Sequence, residues 1–459
     1  MLKLCELQEK AKVYEKLVSA GLSEVAGQDK QRLFAQSARA LLQAGVEGTA
    51  DTRGFFVPGR IEVLGKHTDY AGGRSIVASA EKGFCIWAAP RTDGRVNMIA
   101  TTTGERCQFD IDPDLEPTLG HWSNYPMTVA RRVARNFSGS LKGADIAFIS
   151  DLPVAAGMSS SSAMMVGVFM VLAAINRLDQ REEYRRNISD MESLAGYLGS
   201  VENGQGFGGW AGDRGVGTFG GSEDHTAILC SQPGKLSQYS YCPVRFEKFI
   251  KMPDGYVFAI AASGAAAEKT GAALEKYNRA ARLTAAVVQA WNRATGRADL
   301  HIARALASEP AAVKRMRDIL KGSMAAGFNF EELSRRFEHF YAESQEIIPA
   351  AGAALARGDI AAFGRETDRS QELAETLLGN QVPETIFLAR SARETTAAAA
   401  SSFGAGFGGS VWALVAEDKV ETMLKEWSRY YRQAYPQRWD QASFFVSRAG
   451  PAAFEIKHI

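Results

Sequence analysis

Residues 152–164 read LPVAAGMSSSSAM. The apolar run ADIAFIS leads into them from residue 144, and MVGVFMVLAAIN carries on from them to residue 176. The pattern predicts a strand that enters a small-residue turn, followed by a helix opened by four serines. That helix is apolar nearly all round and is expected to be buried. The first turn of a helix leaves N–H groups without intrahelical partners, and the helix dipole adds partial positive charge there. The segment is therefore a ready anion site. Serine hydroxyls add donors for phosphate or ligands for Mg²⁺. An N-cap with surplus serines satisfies the same pattern, because Ser is a favoured cap, and on these residues alone both readings stand. The stretch is not a Walker loop, since no GxxxxGK[ST] occurs in the chain.

Around this stretch the chain has the texture of a globular protein. Its 459 residues exceed one ordinary core and predict two packed domains. Apolar residues make up 46% and charged residues 23%, as in soluble proteins generally. A net charge of +1, from 53 Lys+Arg and 52 Asp+Glu, provides no global field towards nucleic acid or an anionic membrane, so any anion must be caught by local geometry. The five cysteines (Cys5, Cys85, Cys107, Cys230, Cys242) are scattered, odd in number and without a CxxC pair, which argues against a disulfide framework or structural zinc. The charged, helix-periodic start MLKLCELQEKAKVYEK has no apolar signal core, and no apolar run approaches membrane-spanning length. A cytoplasmic protein is expected.

Residues 1–50 read as two helices, with Leu4, Leu7, Val13 and Leu17 at helical spacing. From Gly54 short strands follow: FFVPG, RIEVLG, FCIWAAP, RVNMIA and CQFDID, before WSNYPMTVARRVARNF returns to helix. TAILC (226–230), KFIKM and YVFAIAASG read as further strands. Helices dominate from Lys269 to about Arg393, then SVWALVAED and a final strand pair around ASFFVS and AAFEI close the chain. Strands, helices and strands in this order predict α+β architecture, with a boundary near residue 243 separating 1–243 from 244–459.

Three further stretches carry chemistry. PGRIEVLGKHTDYAGG, residues 58–73, gathers Arg60, Lys66, His67 and Asp69 on one glycine-fenced turn. NGQGFGGWAGDRGVGTFGGSE, residues 203–223, is too rich in glycine for a regular element, and loops of that length are usually functional. FGAGFGGS, residues 403–410, superficially matches GxGxxG. The dinucleotide fingerprint needs a strand before it and a helix after it. Here a strand follows, so a backbone-packing turn beside a ligand is the better reading.

Together, PGRIEVLGKHTDYAGG, LPVAAGMSSSSA and FGAGFGGS resemble, in order and rough spacing, the three motifs of the GHMP small-molecule kinases. The first resembles the galactokinase form, GEHTDYNGG, and WSNY (122–125), EKYNRAAR (275–282) and FFVSRAGPAAF (444–454) have galactokinase-like counterparts. The resemblance runs from about residue 54 to the end of the chain. It implies the two-domain GHMP kinase fold, with an N-terminal half like domain 2 of ribosomal protein S5 and a ferredoxin-like C-terminal half. It also implies ATP and Mg²⁺, a sugar acceptor phosphorylated at its anomeric hydroxyl, and a monomer or weak homodimer. By position, Gly157, Met158, Ser159, Ser160, Ser161 and Ser162 would hold the ATP phosphates, with Ser160 and Glu202 on Mg²⁺. Asp224, in GGSEDHT, matches the family's proposed catalytic base, and Arg60 the arginine that steadies it and the transferred phosphate. Lys66, His67, Asp69, Gly221 and Tyr277 fall at sugar-facing positions. Phosphoryl transfer asks mainly for positioning and charge neutralisation, and this set contains an anion cradle, a metal ligand, a cation and a carboxylate.

The chain also departs from the family. Lys66 replaces a glutamate that reads a sugar hydroxyl, which suggests an acceptor-rich group there, a uronic acid for example, or else a lysine turned to water or paired with Glu62 or another acid. Ala155 replaces the first glycine of the phosphate loop, Ser162 follows the usual three serines, the 203–223 loop is long, and LLGNQVPET replaces a cysteine-proline stretch. Two alternatives stay open: a catalytically silent sugar and ATP sensor, and a kinase of a non-sugar alcohol.

Overall fold

In YVFAIAA, successive residues belong on opposite faces of a strand. The strand Tyr256–Ala262 follows that rule: Val257, Ala259 and Ala261 enter one core while Phe258 and Ile260 enter another. Its partner Ser410–Ala416 does the same, with Val411, Ala413 and Val415 on one side and Trp412 and Leu414 on the other. Both are central strands of a four-stranded antiparallel sheet in the order Ala399–Ser402, Ser410–Ala416, Tyr256–Ala262, Ser443–Ser447, with Ser410 opposite Ala262 and Ala416 opposite Tyr256. The structure, a computed structural model, describes residues 2–4, 10–267 and 271–456. Cys5, Leu7 and the expected helix start at Lys269 lie outside the described residues.

The larger sheet has nine strands among the described residues. Asp51–Leu64 and Arg74–Pro90 form its long antiparallel centre, and Ala144–Ser150, Arg95–Ala100 and Arg106–Asp110 follow on one side. On one face helix Ser160–Asn176 packs beside Asn124–Asn136 and Met191–Asn203, in a core with Phe55, Val57, Ile61 and Val63 from the first long strand. Across the opposite face lie the N-terminal helices Lys10–Ser19 and Glu24–Gln43, whose Leu17, Phe34 and Leu41 meet Phe56, Cys85 and Trp87. Helices Gly271–Thr295, Ala312–Leu320 and Phe330–Tyr341 share a separate core around Trp291, Met316 and Phe337.

Three local expectations are corrected. TAILC is not a strand but the end of helix Glu223–Cys230. Thr226, Ala227, Ile228 and Leu229 are all buried, and a short apolar run buried on every side has no period that separates strand from helix. Residue 243 falls inside the hairpin of Lys235–Ser240 and Arg245–Lys251, both in the larger sheet, so the chain changes sheets between Lys251 and Tyr256. The last two strands do not pair with each other: Ser443–Ser447 joins the smaller sheet, while Phe454–Ile456 returns to Asp51–Leu64 in the larger one.

The N-terminal helices are tied down by Phe34, which makes an edge-on contact with Trp87 at 5.4 Å and whose carbonyl accepts the Trp87 indole N–H at 2.9 Å. Phe34→Ala is expected to lower unfolding stability by about 3–5 kcal/mol, read from denaturant midpoints.

Candidate functional site

The serine stretch takes the form its sequence predicts. Strand Ala144–Ser150 runs into a turn in which Ala155 (φ 49°) and Ser159 (φ 61°) adopt left-handed backbone, and helix Ser160–Asn176 begins immediately after. Its N-terminus opens on a cleft of about 790 Å³ lined by Gly157, Ser159, Ser160, Ser161 and Ser162. Met158 does not line this cleft. Its side chain is buried in the core, and its carbonyl accepts the Arg60 N–H at 3.2 Å. The fourth serine links two acids, since Ser162 Oγ donates to Glu202 Oε2 at 2.7 Å and lies 3.4 Å from Asp224 Oδ2. Ser162, rather than Ser160, is thus the hydroxyl placed between the two carboxylates. The signal for it was the extra serine itself.

Arg60 occupies the middle of the cleft wall. Its Nε donates to Asp224 Oδ1 at 2.6 Å, its Nη1 to the Gly157 carbonyl at 2.7 Å, and its Nη2 reaches Glu62 Oε2 at 3.4 Å. Burial works against its charge, but Asp224, Glu62 and Glu223 outweigh it and hold the guanidinium protonated. The glycine turn of residues 403–410 closes over this group. Gly404 N–H donates to Glu62 Oε1 at 3.0 Å, and a Cβ on Gly404 would collide with Arg60 Nη2. Phe403, Gly404, Ala405 and Gly406 line the cleft.

At the far end lie His67, Asp69, Gly221 and Tyr277. His67 (φ 56°) sets its ring 5.2 Å from that of Tyr277, the two planes tilted by 49°. Its Nε2 donates at 3.0 Å to the Ala405 carbonyl, which can only accept, and its Nδ1 lies 2.7 Å from the Tyr70 hydroxyl. Asp69 accepts the N–H groups of Tyr70 at 2.8 Å and Glu223 at 3.1 Å. Burial pushes its carboxyl up to about 6, although those bonds pull it down. A side chain at Gly221 would run into the Asp69 carboxylate, which accounts for the glycine there.

Lys66 is the one expected acceptor-facing residue that turns away. It does not line the cleft, is fully buried, and donates to Ser401 Oγ at 2.8 Å and towards Ser370 Oγ at 3.5 Å. Ser370 in turn donates to Glu343 Oε1 at 3.0 Å, and Glu343 also accepts the Gly65 N–H at 2.9 Å. Burial raises the Glu343 carboxyl, and the Lys66 charge opposes that rise. Lysine at 66 therefore faces a buried acid from the helical layer, Glu343, in line with the alternative that it pairs with an acid rather than with the sugar.

Residues 124–206 match the GHMP kinases N terminal domain and residues 352–433 the GHMP kinases C terminal domain, while residues 45–90 match the galactokinase galactose-binding signature. The chain carries the N-terminal and C-terminal domains of the GHMP kinases together with the galactokinase galactose-binding signature. It is an ATP-dependent phosphotransferase of the galactokinase-like kind, with the two-domain fold of that family. A galactokinase of Roseiflexus sp. (strain RS-1) is 28% identical over 395 residues, spanning 85% of this chain and 90% of its own. One from Glaesserella parasuis serovar 5 (strain SH0165) is 24% identical over 422 residues, 88% of this chain and 94% of its own. Among solved structures, Lactococcus lactis galactokinase complexed with galactose shares the fold with a TM-score of 0.73, at 24% identity over 91% of this chain and 99% of that one.

Sequence reading missed two residues of this GHMP kinase site, Glu62 and Glu223. Nothing in a strand residue or a helix-start acid signals that both will be buried against one arginine. Lys66 provides a direct check of its reassignment. Lys66→Met leaves Glu343 buried without its cation and is expected to cost about 3–5 kcal/mol of unfolding stability. A change in sugar preference with unaltered stability would return Lys66 to the acceptor.

Proposed function

We propose that this GHMP kinase transfers the γ-phosphoryl group of ATP to the anomeric hydroxyl of galactose or a closely related sugar, in the cytoplasm and as a monomer or weak homodimer. The observation that carries the proposal is Asp224, bonded to Arg60 and standing beside Ser162 at the mouth of the phosphate-loop helix. The helix N–H groups and serine hydroxyls hold the triphosphate. The apolar residues Leu119, Val154 and Trp122 at the cleft's rim take the base. His67, Asp69, Tyr277 and Gly221 hold the sugar with its reacting hydroxyl towards Asp224, which accepts the hydroxyl proton as the bond to phosphorus forms. Arg60 steadies Asp224 and offsets the charge gathering on the transferred group.

Glu202, Asp224 and the hydroxyls of Ser160 and Ser162 are hard oxygen donors of the kind that hold Mg²⁺ through one or two carboxylates together with substrate phosphates. Bound there, Mg²⁺ would supply charge neutralisation for the phosphates. The uronic acid reading loses its support, because the Lys66 ammonium points into the protein.

Asp224→Asn separates an enzyme from a sensor. It is expected to lower kcat about 10²–10⁴-fold while Mg·ATP binding persists, whereas a sensor would lose little. A panel of sugars, homoserine and mevalonate assigns the acceptor, and a non-sugar alcohol outranking every sugar overturns the proposal. Because Asp69 is pushed up to about 6 by burial, it is the ionised acceptor of sugar hydroxyls only above that value. Sugar KM is therefore expected to rise as pH falls through about 6, and Asp69→Asn to abolish that dependence.

A further inference from the structure

Arg336, on helix Phe330–Tyr341, is 1% exposed and lines no part of the cleft. Its polar partners are all neutral. Nε donates to Thr284 Oγ1 at 2.8 Å, Nη1 to His339 Nδ1 at 3.2 Å, and Nη2 to the His67 carbonyl. A guanidinium has nothing to accept with, so His339 Nδ1 is the acceptor and that imidazole is uncharged. Among the described residues no carboxylate forms an ion pair with Arg336, whereas three acids meet Arg60. A buried cation that no acid neutralises is a costly way to fill a core. The reason for this one lies in what its fork holds.

It holds the acceptor end of the cleft from behind. Thr284 stands about two helical turns after Tyr277 on helix Gly271–Thr295, so the two share a face. Arg336 therefore bridges the helix of Tyr277 and the turn of His67, whose rings are 5.2 Å apart in the cleft. Its guanidinium also lies 5.9 Å from the centre of the Tyr70 ring, and the Tyr70 hydroxyl is 2.7 Å from His67 Nδ1. Arg336 thus reaches His67 twice, at the carbonyl directly and at the ring through Tyr70. His67 needs such holding, because left-handed backbone (φ 56°) at a residue other than glycine persists only where the surroundings impose it.

We infer that Arg336 is a positioning residue for the sugar, setting the gap between His67 and Tyr277 by joining their two carriers with one planar fork. A lysine could not replace it, since a single ammonium on a flexible stem has no pair of fixed donor directions. None of the phosphate-loop residues is among the partners of Arg336. A disturbance of this network should therefore register at the sugar and leave ATP alone.

This inference rests on His67 and Tyr277 holding the sugar, and the experiment separates the two. KM for galactose, KM for ATP and kcat are measured for the wild type, Arg336→Lys, Thr284→Val, Thr284→Ser and His67→Ala, with denaturant midpoints alongside. Arg336→Lys should raise the galactose KM about tenfold, the scale of one lost hydrogen bond to a charged group, and leave the KM for ATP unchanged. Thr284→Val removes the hydroxyl at nearly constant volume and should reproduce that rise in smaller measure. Thr284→Ser keeps the hydroxyl and should retain the wild-type value. A purely structural role would shrink the folded fraction and with it the apparent kcat, while the enzyme that remained folded kept its galactose KM. If Arg336→Lys does not fold, the Thr284 pair decides. A galactose KM unchanged in folded Arg336→Lys or in Thr284→Val, a KM for ATP that rises in step with it, or a Thr284→Ser as impaired as Thr284→Val would each overturn the inference. His67→Ala distinguishes its failure from that of the sugar assignment. If His67→Ala raises the galactose KM and the Arg336 and Thr284 variants do not, the inference alone falls. If His67→Ala leaves that KM unmoved, the sugar is held elsewhere and both fall.

Discussion

The bond from Arg60 Nε to Asp224 Oδ1, 2.6 Å long, is the contact on which the site depends. It joins the first long strand to a helix 164 residues later in the chain. The same guanidinium reaches the Gly157 carbonyl of the phosphate loop and, through Glu62, the Gly404 turn. A planar fork with fixed donor directions can hold several acceptors in register at once, which a lysine ammonium cannot do. Burying it is costly unless its charge is met, and here three acids meet it. One cation thus holds Asp224, the turn before helix Ser160–Asn176 and the 403–410 turn in fixed mutual positions.

The cleft itself is a seam. One wall belongs to the larger sheet and its helices, the other to the turn that leads into the smaller sheet. Close backbone approach keeps the seam narrow and Arg60 buried, and Gly404 and Gly221 are among the positions where a side chain would push it open. Dry surroundings strengthen every charge interaction at the centre. The same surroundings drive the Asp69 and Glu223 carboxyls upward.

The long glycine-rich segment 204–222, between helices Met191–Asn203 and Glu223–Cys230, is anchored although it lacks a regular element. Buried Asp213 accepts from Arg131 Nε at 3.0 Å and lies 3.5 Å from Arg132 Nη1, both on helix Asn124–Asn136. Asn278 grips its far end, accepting the Phe219 N–H and donating to the Gly217 carbonyl, each at 3.0 Å. The segment therefore forms a defined wall of the cleft, with Val216, Gly217, Thr218, Gly220 and Gly221 lining it.

By itself the sequence determined what depends on neighbours along the chain. The strand, turn and serine-opened helix at 144–176, the two N-terminal helices and the period-2 strands of both sheets follow from local pattern, and the motif residues Arg60, Asp69, Glu202, Asp224 and Tyr277 meet in one cleft. Tertiary structure decided whatever turns on a distant partner. TAILC is a helix because it is enclosed on every side, and burial of that kind erases the periodicity by which a sequence is read. Lys66 belongs to the same turn as His67, yet its ammonium is taken by Ser401, 335 residues away, and stands opposite Glu343. Glu62 and Glu223 look like solvated acids until the fold buries them against Arg60. A charge goes where its desolvation is best repaid, and only the packed chain determines which partner is there to repay it.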